Sequence, residues 1–200
     1  ASTGVWSKLG DDIDGEAADD LSGASVSLSS DGSRVAIGAT NNDGNGSNSG
    51  HVRIYDYNSA TASWIQVGDD IDGEASNDSS GYSVSLSSDG SIVAIGAKGN
   101  DENGSMSGHV RIYRYDSSSD SWSQLGDDID GEAATDISGW AVSLSADGSR
   151  VVIGATNNDG NGENSGHVRI YDYKASTDAW AQVGADIYGE AADDKSGWSI

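Results

Sequence analysis

Carboxylates recur along this chain at a fixed interval. Asp12, Asp14, Glu16 and Asp20 are followed 58 residues later by Asp70, Asp72, Glu74 and Asp78, and after the same interval by Asp128, Asp130, Glu132 and Asp136. Alternating carboxylates around a glycine (Gly15, Gly73, Gly131) can converge on a hard cation, because calcium takes about six to eight oxygen ligands and needs a turn tight enough to aim them. These twelve residues are the candidate metal ligands, and Ca2+ is the cofactor they suggest. The motif is not an EF-hand loop: the spacing after Asp-x-Asp-Gly differs, and no terminal Glu stands at the required distance. The competing reading is a solvated acidic loop that favours solubility. In the fourth occurrence Ala185 and Tyr188 replace aspartates, which weakens any site there.

Histidine occurs once per interval, as His51, His109 and His167. Equivalent positions in successive repeats cannot bring three imidazoles to one ion unless they face a common axis, so each is read as a structural hydrogen-bonding group at a strand start. Arg53, Arg111 and Arg169 are read as partners for neighbouring acids or aromatic faces. A variable aromatic column, Tyr82, Trp140 and Trp198, with Ala24 in the first copy, supplies the candidate ligand-binding residues. Rings beside Asp and Asn suit stacking against sugars, with packing between repeats as the alternative. Trp6, Trp64, Trp122 and Trp180 are read as structural. The chain contains no Gly-x-Ser-x-Gly elbow, His-Glu-x-x-His pair, phosphate loop or Gly-x-Gly-x-x-Gly, and on that ground it is expected not to be an enzyme.

The elements that must position these groups are strands. In the first copy Ser25 to Ser29 (strand A) and Arg34 to Ala39 (strand B) alternate on either side of Asp31-Gly32, a hairpin turn signal. An Asn and Gly-rich loop, 40–50, leads to strand C, 51–57, with Val52 and Ile54 on one side and Arg53, Tyr55 and Tyr57 on the other. Strand D follows at 64–67. No segment carries a helical apolar stripe. Four short strands joined by hairpin-sized connections make an antiparallel meander, and tandem meanders predict an all-β chain built as a β-propeller of four-stranded blades. A β-helix is the rival, but its coils are usually shorter and lack the hairpin. The expected organisation is a single partial propeller over 1–200: an N-terminal D strand at 5–9, repeats at about 10–67, 68–125 and 126–183, and the start of a fourth at 184–200. Three full blades and partial terminal strands cannot close a ring, so copies of the chain are expected to complete it as a homo-oligomer, or the chain is a piece of a longer propeller. Alternate connections of a meander emerge on the same side. The acidic D-to-A loops and the B-to-C loops should therefore share one strongly negative face.

Ser80-Gly81-Tyr82-Ser83-Val84-Ser85 and Ser138-Gly139-Trp140-Ala141-Val142-Ser143 resemble the opening of an FG-GAP repeat, and Ile37-Gly38-Ala39, Ile95-Gly96-Ala97 and Ile153-Gly154-Ala155 resemble its closing segment. The resemblance covers every repeat. It implies an integrin-α-like propeller blade, a fold used chiefly for extracellular recognition. Two departures stand out: Ser replaces the Phe of the family signature, and no Pro follows Gly-Ala. The family's calcium loop, usually between the first two strands, is cut here to Ser-Ser-Asp-Gly-Ser, so its metal ligands do not carry over.

Thirty-three Asp and Glu against 10 Lys and Arg give a net charge of -23. Such a polyanion is repelled by phosphate backbones and anionic membrane surfaces, which excludes nucleic acid as a partner. Cysteine is absent, removing disulfides and thiolate metal sites. No apolar run reaches membrane-helix length, so no membrane insertion is expected, and Ala1-Ser2-Thr3-Gly4 is not a signal peptide. Together these features lead to the expectation of a non-enzymatic recognition or scaffold propeller, extracellular or at the cell surface, with a protein or glycan ligand. A carbohydrate-binding lectin and a fragment of a larger secreted adhesion-type propeller are the alternatives.

Overall fold

The computed structural model describes residues 4–200, so the first three residues of the opening segment lie outside the described residues. Three sheets repeat one topology. The first contains β1 (Ser22–Leu28), β2 (Arg34–Ala39), β3 (His51–Asn58) and β4 (Ser63–Gln66), antiparallel in that order, with the short β5 (Ile71–Asp72) joined to the start of β3. The second contains β6 (Ser80–Leu86), β7 (Ile92–Ala97), β8 (His109–Asp116), β9 (Ser121–Gln124) and β10 (Ile129–Asp130). The third contains β11 (Ser138–Leu144), β12 (Arg150–Ala155), β13 (His167–Lys174), β14 (Ala179–Gln182) and β15 (Ile187–Tyr188). The inner strands β1, β6 and β11 lie side by side, which is the radial arrangement of propeller blades. No helix among the described residues is long and apolar enough to cross a membrane.

The fold departs from the sequence-based reading at two strands. Ile71 and Asp72, expected in a loop, form β5. Gly68, at φ 69°, and Asp69-Asp70 interrupt the outer strand, after which the chain rejoins β3 through Val52↔Ile71 and His51↔Asp72. The driving force is Ile71, which is buried in the core between the first two sheets. Each sheet therefore ends later than the repeat boundaries at 67, 125 and 183. The expected N-terminal strand at 5–9 is not formed. An outer strand pairs with strand C of its own blade, as β4 does with β3, and no such partner precedes Val5 within these 200 residues.

The core lies between blades. Ala36, Val52, Ile54 and Ile71 of the first sheet face Leu86, Val93 and Ile95 of the second. Ile92, Ala94, Val110, Ile112, Leu125 and Ile129 of the second face Val142, Val151, Ile153 and Tyr171 of the third. On the outer face of the first sheet, Val26 and Leu28 are 63% and 60% exposed where the equivalent Leu86 is 7% exposed.

Polar staples cross the same interfaces. The indole N–H of Trp122 donates to the Val67 carbonyl at 2.9 Å, and that of Trp180 to the Leu125 carbonyl at 2.7 Å. Arg111 and Arg169 donate to the carbonyls of Asp72 and Asp130, both at 2.7 Å. In the first sheet Trp64 and Arg53 make the same bonds to Leu9 and Asp14, so the irregular segment 9–14 occupies the place of a preceding outer strand. Trp6 is 99% exposed and plays no such part, contrary to the structural role expected for it.

The hairpin turns are braced by one carboxylate each. Asp31 accepts from the Ser33 N–H at 2.9 Å and from the Ser29 and Ser33 hydroxyls at 2.7 and 2.8 Å. These bonds lower its pKa to about 2, and the matching bonds from Ser145 and Ser149 lower Asp147 likewise to about 2. A carboxylate whose pKa falls on folding contributes stability above its unfolded value, near 3.9, and loses it as pH falls through the folded value. Asp31→Ala and Asp147→Ala are accordingly expected to lower the thermal midpoint at pH 7, with the deficit narrowing between about pH 4 and pH 2. A deficit of equal size at both ends of that range, read by thermal melts, contradicts this account.

Candidate functional site

The B-to-C and D-to-A loops do meet on one edge of the blades. Asn45 donates to the carbonyls of Gly73 and Glu74, and the N–H groups of Asn77, Ser79 and Ser80 donate to Ser47, Asn48 and Ser49. The twelve predicted carboxylates are not gathered loop by loop. Asp20, Asp78 and Asp136 turn inward and are buried. Asp78 accepts from the Ala75 N–H at 3.0 Å and the Asn100 amide at 3.3 Å, and the other two repeat this brace with Ala17 and Asn42 and with Ala133 and Asn158. Burial demands those bonds, and they hold the loops together. Asp12 is exposed and pairs with Lys8 at 2.8 Å. Asp14 is exposed too, and Asp72 and Asp130 lie at the ends of β5 and β10, where burial raises their carboxyl pKa values.

The carboxylates that converge come from successive repeats and meet on a histidine. Glu16, His51 and Asp70 form one group, Glu74, His109 and Asp128 with Glu102 a second, and Glu132, His167 and Asp186 a third. In each group one potential ligand atom per residue lies within 4.8 Å of the others. His109 Nδ1 stands 3.7 Å from Glu74 Oε2 and 3.5 Å from Asp128 Oδ2, and His51 Nδ1 stands 3.7 and 3.6 Å from Glu16 and Asp70. The histidines are at most 1% exposed, and the Nδ1 atom of each is buried without a hydrogen-bond partner. The structural hydrogen bond expected of these histidines is thus not made at Nδ1. Burial first, and the Arg111 charge next, hold the His109 imidazole down at about 4, which leaves it neutral at pH 7, and burial followed by the Arg169 charge lowers His167.

The flanking residues orient the carboxylates. Arg111 lies 3.4 Å from Glu74 Oε1, leaving Oε2 toward the histidine. Gln124 donates to Asp128 Oδ1, and Gln66 to Asp70 Oδ1 at 2.6 Å, leaving each Oδ2 toward the imidazole. Each group could hold a metal ion. The shortened A-to-B turn could not: its single carboxylate is already bonded by two serines. Tyr82, Trp140 and Trp198 are brought together, but on one another, with ring centroids 4.9 and 4.6 Å apart and Lys98 Nζ 3.6 Å from the Tyr82 centroid. The cleft beside the first group, lined by Asp70, Asp72, Tyr113 and Trp122, measures about 200 Å³, smaller than pockets that enclose drug-sized ligands. Sequence reasoning missed the histidines, Glu102 and Asp186 as site members. The available signal was the constant Glu, His, Asp spacing that runs across the repeat boundary.

Sheets stacked about an axis, with paired loops on one edge, define a propeller. Within that class the FG-GAP repeat model matches residues 71–113 and 129–171, which is consistent with an FG-GAP-like repeat protein. No curated protein sequence matches it. Among solved structures it is similar to a Bacteroides fragilis NCTC 9343 protein with a proposed 6-phosphogluconolactonase assignment (12% identity, TM-score 0.56, covering 83% of this chain and 40% of that one). A Bacteroides uniformis ATCC 8492 counterpart with the same proposed assignment has 11% identity, TM-score 0.53 and coverage of 82% and 39%. The periplasmic gluconolactonase of Pseudomonas aeruginosa has 14% identity, TM-score 0.50 and coverage of 80% and 44%. The chain thus spans about two-fifths of the length of these relatives. At such identities the likeness establishes the fold alone. It nevertheless corrects the expectation that the chain is not an enzyme, because this fold is shared with proteins described as lactonases and the missing sequence motifs are no test of them.

Proposed function

We propose that this chain is a recognition or scaffold propeller, acting outside the cell or at its surface, whose acidic edge binds divalent cations and presents them to a protein partner. The observation that carries the reading is the threefold recurrence of Glu, His and Asp on the one edge where both sets of loops meet. Each group sets at least two carboxylates against one arginine, and a bound cation relieves the repulsion that remains. The FG-GAP match supports the recognition role through the family resemblance. The packing of Tyr82 and Trp140 against each other weighs against a glycan reading, since it occupies ring surface that a sugar would need, although Trp198 keeps 59% of its surface exposed. The exposed Val26 and Leu28 fit a further blade from a second copy.

The test is a thermal melt of chelator-treated protein with and without added divalent cations, alongside elemental analysis of the purified chain. Added cation should raise the midpoint by several degrees, because ligand that binds only the folded state stabilises it by mass action. A midpoint indifferent to every divalent ion, with none retained on purification, refutes the reading.

A further inference from the structure

The three groups differ, and the difference lies in the B-to-C loop. Glu102 of the second repeat stands where the first and third repeats have Gly44 and Gly160, so the second group alone offers four candidate ligands. In the third group Tyr188 replaces the aspartate found at Asp72 and Asp130, and its hydroxyl donates to Asp186 Oδ2 at 2.8 Å. From the geometry we infer that Glu74, Glu102, His109 and Asp128 form a binding site for a zinc-class divalent transition ion, and that the other two groups are weaker versions of it. This inference rests on the cation-binding reading of the acidic edge and names the ion and the principal site.

Three observations carry it. First, the imidazole and its two nearest carboxylates are spaced for a metal, and Glu102 lies within 4.8 Å of all three. Ligands about 2.0–2.2 Å from a tetrahedral zinc ion lie about 3.3–3.6 Å apart, and His109 Nδ1 is 3.5 and 3.7 Å from its two carboxylates. A water at about 2.8 Å from each partner would spread a tetrahedral set to about 4.6 Å. Second, a buried imidazole nitrogen without a hydrogen-bond partner is costly, and here it points at two carboxylates. An imidazole among carboxylates suits zinc and its neighbours, whereas calcium and magnesium take oxygen throughout. Third, Arg111 and Gln124 each hold the far oxygen of a ligand carboxylate, as outer partners do at a metal centre, while His109 Nε2 has no such partner. Glu74 and Glu102 are exposed, so the ion would sit at the surface, open to an oxygen ligand from a partner.

The experiment is a calorimetric titration of chelator-stripped chain with Zn2+ and, separately, with Ca2+, together with visible absorption of the Co2+ form. One Zn2+ should bind per chain with at least tenfold preference over any further ion, and Co2+ should show the intense bands of four-coordinate geometry. Glu102→Gly, which installs the residue its sister repeats carry, should weaken the tight site by on the order of 100-fold, at the upper end of what losing even an outer partner costs. His109→Gln should abolish the Co2+ spectrum, with circular dichroism confirming the fold. If Ca2+ binds and Zn2+ does not, this inference falls and the cation-binding reading stands; if neither binds, both fall. Zn2+ affinity unchanged by Glu102→Gly overturns the assignment of the principal site.

Discussion

Gly96→Ala is expected to destabilise the protein by about 3 kcal/mol or more, the upper end of the cost of overfilling a packed interior. Gly96 does not need an unusual backbone angle. What it needs is the absence of a side chain, because a Cβ there would lie 2.2 Å from the Gly139 carbonyl oxygen and 2.4 Å from Ser83 Oγ. Ser83 can rotate away, but the Gly139 carbonyl is main chain of the next blade and can retreat only if the sheets separate. Gly139 is itself constrained, with φ 82° and a position for Cβ 2.5 Å from the His109 carbonyl. Any separation would loosen the packing of Val142 and Ile153 and the contact of Trp140 with Tyr82. Gly32→Ala is the control. It has φ 71° and no atom within 4 Å of a Cβ, so it should cost only the left-handed backbone penalty, about 1–2 kcal/mol. Urea denaturation of the two variants measures the difference, and equal midpoints would show that the blades are not in the contact described.

Ile112→Ala should cost about 4 kcal/mol, within the range for truncating a buried aliphatic side chain. Ile112 is 1% exposed and lies among Ile92, Val110, Leu125 and Ile129, facing the third sheet. The interface is built from two β-sheets whose backbones are held by their own ladders, so they cannot collapse to fill the void, and the cavity cost adds to the lost transfer energy. Val26→Ala, on the face of β1 that is exposed in the single chain, removes apolar surface already in water there and should change the stability of the isolated chain by less than about 0.5 kcal/mol. A loss below about 1 kcal/mol for Ile112→Ala in the same urea series would mean that this face does not join the blades.

Strands A, B and C were legible because each is a local pattern. Alternation assigns Val52 and Ile54 to one face and Arg53 and Tyr55 to the other, and Asp31-Gly32 marks the turn, without reference to anything distant. β5 was not legible. Its two residues carry no alternation, and Ile71 reaches the core only because the chain returns to β3 after the break at Gly68. The exposed outcome for Trp6, against staples made by Trp64, Trp122 and Trp180, likewise depends on whether a preceding carbonyl is there to receive the indole N–H. The candidate site was half legible. Its carboxylates were visible as a repeated motif, but the grouping expected within each loop is replaced by grouping across repeats, and Asp20, Asp78 and Asp136 serve as loop braces.

What the amino-acid order determined alone is the period, the strand pattern, the presence of one acidic edge and the supply of Glu, His and Asp at constant spacing, since each follows from short-range alternation and composition. What only the tertiary structure decided is which residues of neighbouring repeats meet. The pairing of β10 with β8 brings Asp128 to His109, and the offset between adjacent sheets, with glycine-to-carbonyl contact at positions such as Gly96 and Gly139, closes Tyr82 onto Trp140. That offset is a property of two packed surfaces, and no single repeat contains it.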